Sequence, residues 1–76
     1  MLISLDDISL PTTYYTEEQD RRIIQEKIEE YYKNGDFVHP LIVRKTSYGY
    51  ILEGNYEQFR AAQELDITEC ICSVVS

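Results

Sequence analysis

The sequence predicts a single α+β domain over residues 1–76, in which one long and one short helix pack against a small mixed sheet. Three observations predict this class. Apolar residues recur at helical spacing over residues 17–33. Short β-branched or alternating runs occupy residues 41–45, 50–53 and 69–75. A glycine separates the second of these runs from another helical stretch, so strands and helices share one short chain.

The chain opens with a predicted strand and an irregular connection. Leu2-Ile3-Ser4-Leu5 alternates apolar and polar residues, which is typical of a strand. Residues 6–11 are expected to form a turn-rich connection, because Pro11 disfavours a helix through it. Residues 12–15 are expected to be extended or looped.

The long helix is predicted over residues 17–33. Thr16-Glu17-Glu18-Gln19 has the pattern of a capping box, in which two side chains satisfy the first free N–H groups of the helix. Asn34-Gly35 is typical of a helix end with a left-handed cap. The buried stripe of this helix is expected to contain Ile23, Ile24, Lys27 (by its stem), Ile28, Tyr31 and Tyr32.

Two neighbouring runs predict an antiparallel hairpin. Residues 41–45 are β-branched and apolar, and they follow Pro40. A turn over residues 47–49 leads to the second run, 50–53. The short loop 36–40 connects the long helix to this hairpin.

The short helix is predicted to follow Gly54 directly. A glycine can adopt backbone angles closed to other residues, so we expect the chain to reverse at Gly54, with Asn55 as the helix cap. The apolar side of this helix is formed by Tyr56, Phe59 and Ala62, and the helix is predicted to end near residue 65.

The last run, residues 69–75, predicts a final strand that carries both cysteines. Cys70 and Cys72 would lie on one face of this strand, and one or both of them are expected to be small buried hydrophobic residues. A disulfide between them would be strained, and a tetrahedral zinc site needs more ligands than this pair supplies. We therefore expect no metal here.

The charge of the chain limits its partners. Seven Lys and Arg against fourteen Asp and Glu give a formal net charge of −7, whereas a DNA-binding module normally has a basic face. Direct DNA binding and binding to an acidic membrane are therefore disfavoured. A basic protein partner, or simply the benefit of net charge for solubility, fits this charge better. The seven tyrosines either form an exposed surface for self-association or a protein partner, or fill the rim of the small core. Without a membrane span or a signal peptide in the sequence, we expect a cytoplasmic location.

The turn at Gly54 and Asn55 is the first candidate site, because the start of a helix presents free N–H groups and a positive dipole end to an anion. Arg60 could help to hold a phosphate, Arg44 and Lys45 could add positive charge at the same end of the sheet, and His39 could contact a ligand or act as a general base. The alternatives for these residues are an ordinary turn and cap, a solvent-facing strand residue and a loop histidine. A Glu53–Glu57 pair that binds magnesium is a further alternative to surface glutamates.

Four segments in order resemble the N-terminal domain of the ParB family, which shares its fold with sulfiredoxins. Residues 2–11 are similar to the first strand of the family and its I-x-x-I-x-x-P exit. Residues 34–44 resemble its x-G-x-x-x-P-I-x-V-R segment. Residues 54–65 stand where the family has G-E-R-R-x-R-A-A-x-x-L, and residues 71–75 resemble its last strand.

The chain departs from the family in the motif that follows the glycine. The resemblance implies that a glutamate and paired arginines there serve nucleotide phosphates or, in some members, phosphodiester chemistry. This chain has Asn55, Tyr56 and Glu57 instead, with one additional residue before the two alanines, and only Arg60 remains basic. A sulfiredoxin would carry a cysteine in this turn, where this chain has Asn55, so sulfiredoxin chemistry is disfavoured.

The expected function is a small non-enzymatic ParB-like protein with a degenerate nucleotide or phosphate site, acting as a binding or regulatory module in a DNA-maintenance or mobile-element context. The alternative is a ParB-like protein that binds CTP or ATP with Mg²⁺ and has weak hydrolase or nuclease activity. No catalytic residue is assigned. The candidate ligand-binding residues are His39, Arg44, Gly54, Asn55, Tyr56, Glu57 and Arg60.

Overall fold

The structure is a computed structural model, and it describes residues 1–75 of the chain. A short 3₁₀ turn, Leu5–Asp7, follows the first strand. The strands and helices are β1 (Leu2–Ser4), β2 (Ile8–Ser9), α1 (Thr12–Thr16), α2 (Arg21–Asn34), β3 (Leu41–Thr46), β4 (Gly49–Gly54), α3 (Tyr56–Glu64) and β5 (Glu69–Val75).

The five strands form one mixed sheet in the order β1-β5-β3-β4-β2. The pairs β1–β5 and β3–β4 are antiparallel, whereas β3–β5 and β2–β4 are parallel. The predicted α+β class and the β3–β4 hairpin are therefore confirmed. The final strand is also confirmed, and it lies between β1 and β3 in the sheet.

The core lies between one face of the sheet and the helices. Alternate side chains of the strands point into it, as the twofold period of a strand requires. Tyr14 of α1 and Phe59 of α3 pack against each other edge to face, with their ring centroids 5.9 Å apart. The other members of this core cluster are Ile3, Ile8, Leu41, Val43, Leu52, Ala62, Cys70 and Cys72. Both cysteines are free and buried, where the sequence predicts burial of at least one.

The expectation of an extended or looped segment at residues 12–15 was wrong, because this segment is α1. Pro11 precedes the helix as its N-cap residue, where a missing N–H has no cost to the helix. Tyr14 is buried against the rings of Phe59 and Tyr56. This packing against α3, which comes much later in the chain, gives the short helix its stability.

The predicted start of the long helix was also wrong. Thr16 ends α1, and α2 begins at Arg21. The N-cap is Asp20, whose Oδ1 accepts a hydrogen bond from Arg22 N at 2.9 Å. The predicted end is confirmed, since Gly35 has a φ of 78° and donates its N–H to the Tyr31 carbonyl.

The predicted stripe of α2 is only partly buried. Ile24 is the buried residue of the helix, whereas Ile23 and Tyr32 are exposed. The first strand also ends earlier than predicted, at Ser4, and β2 lies inside the segment 6–11 that was expected to be a turn-rich connection. No helix within residues 1–75 is long and apolar enough to cross a membrane.

Candidate functional site

The turn between β4 and α3 lies where the sequence predicts it, but the chain reverses at Asn55. Asn55 has φ and ψ of 63° and 47°, in the left-handed region that asparagine tolerates. Of the glycines in the described chain, only Gly35 and Gly49 have a positive φ. The expected backbone role of Gly54 was therefore wrong.

Asn55 is the N-cap residue of α3, as expected, but its side chain makes no capping hydrogen bond to the helix within the described residues. The Asn55 Nδ2 instead donates to the Pro40 carbonyl at 2.7 Å. This hydrogen bond ties the turn to the loop before β3.

A cavity of about 320 Å³ opens at this turn. It lies between the turn and the connection from α1 to α2. Four of its residues are glutamates, and no basic residue of the described chain lines it. Its lining residues are Glu17, Glu18, Gln19, Glu53, Gly54, Asn55, Tyr56 and Glu57.

Three of the polar side chains that line this cavity, Glu53, Tyr56 and Glu57, already have partners in the protein. Glu57 Oε2 accepts from Asp20 N at 3.2 Å, just before α2. The Tyr56 hydroxyl lies 2.7 Å from Thr13 Oγ1 of α1. Glu53 forms an ion pair with Arg44 across the β3–β4 hairpin. The predicted site residues therefore hold the turn against its neighbours.

The structure brings Gly54, Asn55, Tyr56 and Glu57 together and places Arg60 elsewhere. Arg60 lines a second cavity of about 520 Å³ between α1, α2 and α3. Its Nε donates to Glu64 Oε2 at 3.2 Å, and Arg21 Nη2 donates to Glu64 Oε1 at 2.8 Å. The two arginines share one carboxylate, and Arg21 lowers the pKa of the Glu64 carboxyl through this hydrogen bond.

Tyr14 forms another part of this second cavity. Its hydroxyl donates to Gln63 Oε1 at 3.0 Å, and burial raises the pKa of the Tyr14 hydroxyl. Gln19 closes the cavity by donating from Nε2 to the Tyr14 carbonyl. Sequence reasoning did not identify these residues, because α1 and α3 are brought together only by the fold.

His39 lies in a third cavity, of about 130 Å³, under the loop that precedes β3. The His39 side chain is exposed, and its carbonyl accepts from Gln58 Nε2 at 2.7 Å. Sequence reasoning missed Gln58, although it lies three and four residues from Ala61 and Ala62, on the buried side of α3. That spacing from two alanines was the sequence signal that Gln58 lies on the buried side of the helix.

Three of the seven tyrosines are well exposed, on three different elements. Tyr15 of α1, Tyr32 of α2 and Tyr48 of the β3–β4 turn have relative exposures of 72%, 75% and 84%. A partner surface made from them stays a prediction. Lys45 lies over the ring of the half-buried Tyr50, with Nζ 4.7 Å from the ring centroid.

The cysteines have properties of core residues. Burial raises the pKa of Cys70 to about 11, and it raises the pKa of Cys72 as well. Thiols that stay protonated are weak nucleophiles and weak metal ligands. Across the part of the chain that the structure describes, no group of three or more His, Cys, Asp or Glu side chains is placed to hold a metal ion.

No protein-family model matches this sequence, and no curated protein is significantly similar to it. Solved structures do match its fold. A sulfiredoxin from Arabidopsis thaliana superposes with a TM-score of 0.84 at 18% sequence identity, over 100% of this chain and 85% of that one. A free serine kinase in complex with AMP superposes with a TM-score of 0.80 at 17% identity, over 100% of this chain and 30% of that one.

The chromosome-partitioning protein ParB from Caulobacter crescentus, complexed with CTP-gamma-S, is also similar. It superposes with a TM-score of 0.78 at 14% identity, and this chain covers 43% of its length. The chain therefore has the ParB/sulfiredoxin fold, as the sequence motifs predict. It spans less than half the length of the ParB and kinase chains that it matches.

Proposed function

We propose that this ParB/sulfiredoxin-fold domain is a non-enzymatic binding module that acts through a protein partner and does not hold a nucleotide polyphosphate at the β4–α3 turn. The observation that carries the proposal is the cavity at this turn. It is lined by Glu17, Glu18, Glu53 and Glu57, and no basic residue among those described lines it.

The charges at the turn oppose a polyphosphate. A unit negative charge about 5 Å from a carboxylate is repelled by roughly 3 kcal/mol at an effective dielectric constant of about 20. The positive end of α3 contributes only about 0.3–1 kcal/mol in favour of an anion at an exposed position. The repulsion from one glutamate is therefore larger than the attraction of the helix end, even when salt reduces both.

The polar groups also lack a catalytic arrangement. Asn55, Tyr56 and Glu57 are each used in a contact that holds the turn in place. The buried cysteines have raised pKa values, and His39 lies in a different cavity from the turn. These features support a binding role over a chemical one.

The composition supports a basic protein as the partner class, because a net charge of −7 favours encounter with positively charged surfaces. The fold shared with the Caulobacter crescentus ParB supports a DNA-maintenance or mobile-element context. In that context a separate protein would make the DNA contacts.

Nucleotide binding is the second candidate function. It is favoured by the fold neighbours that were solved with AMP and with CTP-gamma-S, and by the start of α3 at the turn. CTP or ATP would bind with Mg²⁺ at Gly54 and Asn55, and weak hydrolysis would follow.

Isothermal titration with CTP and with ATP, each with Mg²⁺, separates the two functions. We expect no heat of binding from the natural sequence at millimolar nucleotide. The variant Glu57→Arg restores one positive charge at the turn and should bind more tightly than Glu29→Arg, which makes the same charge change on an exposed part of α2. Micromolar binding by the natural sequence would reject the proposal, and phosphate release in the same samples would establish hydrolysis.

A further inference from the structure

Gln58 is a buried amide whose oxygen has no hydrogen-bond partner within residues 1–75. The residue is 1% exposed, on the core side of α3. Its Nε2 donates to the His39 carbonyl, and since a carbonyl only accepts, this bond fixes which end of the amide is nitrogen. Among the described residues, Gln58 Oε1 has no hydrogen-bond donor. A buried acceptor without a donor destabilises a fold, so a donor from outside the chain would relieve it.

Gln58 lines the cavity of about 130 Å³ under the loop 36–40. This volume is well above the roughly 10–15 Å³ that a single water requires, so the cavity has room for a side-chain head group. Phe37 and Ile71 supply apolar walls, and Asp36 supplies a carboxylate. No lysine or arginine of the described chain lines it.

The chemistry of these walls selects a cationic donor. An amide oxygen and a carboxylate both accept hydrogen bonds, and Asp36 uses Oδ1 for the Phe37 N–H, at 2.8 Å. The Phe37 ring offers an aromatic surface, with its centroid 5.3 Å from that of Tyr31. A guanidinium has five N–H donors in a plane and stacks on aromatic rings, so it matches this set better than an ammonium.

We propose that this cavity binds an arginine side chain of a basic protein partner, with its guanidinium donating to Gln58 Oε1 and to the Asp36 carboxylate. This inference rests on the proposed function, because it names the contact through which the binding module would recognise its partner. The net charge of −7 favours the approach of such a partner.

The test uses Nα-acetyl-arginine methylamide as the probe and the ¹H–¹⁵N NMR spectrum of the whole chain as the readout. We expect saturable shifts of the Gln58 side-chain amide and of the backbone amides of residues 36–39, at millimolar probe. The citrulline analogue, which has the same shape without the charge, should bind at least about tenfold more weakly. The lysine analogue should lie between the two.

A matched pair of variants tests the site. Asp36→Asn removes the proposed carboxylate from an exposed position and should weaken arginine binding about fivefold to tenfold. Glu29→Gln makes the same charge change on α2, away from the cavity, and should leave binding unchanged. Equal shifts with arginine and citrulline, or equal affinities in the two variants, would overturn the inference.

The outcomes for the inference and for the proposed function differ. A chain that binds neither CTP nor the arginine probe overturns the arginine site and leaves the non-nucleotide function standing. Micromolar binding of CTP overturns the proposed function, whatever the cavity binds. If water alone occupies the cavity, no probe shifts the Gln58 side-chain amide, and the inference is wrong.

Discussion

Replacing each glycine in turn with alanine tests the description of the backbone, because the three positions differ in their surroundings. At Gly49, φ is +150°, and an added Cβ would lie 2.9 Å from the Asp7 carbonyl oxygen. At Gly35, φ is +78° with open space around it. At Gly54, φ is not in the positive range, and an added Cβ would meet Ile42 Cβ at 3.5 Å, an ordinary contact.

These surroundings give an order of magnitude for each variant. Gly49→Ala combines a strained φ, worth about 1–3 kcal/mol, with a backbone clash that displaces β2 from β4, so we expect a loss of about 3 kcal/mol. Gly35→Ala loses about 1–2 kcal/mol from the left-handed conformation and regains about 0.4–1 kcal/mol from a stiffer unfolded chain. Gly54→Ala only makes the unfolded chain stiffer, so its free energy of unfolding should rise by about 0.5 kcal/mol.

Urea unfolding followed by far-ultraviolet circular dichroism measures these differences. At a slope of about 1 kcal/mol per molar, the midpoint should fall by about 3 M for Gly49→Ala and about 1 M for Gly35→Ala, and rise by about 0.5 M for Gly54→Ala. A domain of this size has a total stability of only about 4–11 kcal/mol, so the first shift is large. If Gly54→Ala were the most destabilised variant, the assignment of the chain reversal to Asn55 would be refuted.

Three further predictions concern the start of α2 and the buried thiols. Asp20→Ala removes the acceptor for the Arg22 N–H and should lower the free energy of unfolding by about 1 kcal/mol. The control Thr16→Ala should change this free energy by less than about 0.5 kcal/mol. Comparable losses for the two variants in urea unfolding would contradict the start of α2 at Arg21. Since the pKa of Cys70 rises from 9.0 to about 11, its thiol in the folded chain should react with a disulfide reagent at pH 8 about 100-fold more slowly than in urea, and equal rates would show an accessible thiolate. The same raised pKa means that the stabilisation from the protonated Cys70 thiol is fully present below pH 9 and decreases by up to about 3 kcal/mol as the pH rises through 11. The variant Cys70→Val should lack this part of the pH dependence of the urea midpoint. An unchanged pH dependence would contradict the raised pKa of Cys70.

Elements with a strong local signal could be predicted from the sequence. The left-handed cap at Gly35, the β3–β4 hairpin and β5 each depend on residues close together in the chain. The helix α1 could not be predicted, because its stability depends on Tyr14 packing against Phe59, a contact between distant parts of the chain. The start of α2 was misplaced since Thr16 and Asp20 are both good N-cap residues, and the sequence alone does not rank them.

The candidate site could also be predicted only where it depends on residues close together in the chain. The position of the turn followed from Gly54 and the helical stretch after it, but the acidity of its cavity depends on Glu17 and Glu18, which the fold brings from before α2. Gln58 could have been identified, because its spacing from Ala61 and Ala62 places a polar residue on the buried side of α3. Its unpaired oxygen and its cavity depend on the loop 36–40, and only the structure shows them.

The position of β5 in the sheet has a consequence for how the chain folds. Met1 and Cys72 exchange backbone hydrogen bonds of 3.1 and 2.7 Å across a separation of 71 residues, so the strand pair β1–β5 closes nearly the whole chain into one loop. Such distant pairings slow folding, because the entropy of closure is lost before the contacts form. We therefore expect the hairpin β3–β4 to assemble early and the docking of β5, which also gives β1 its partner, to limit the folding rate.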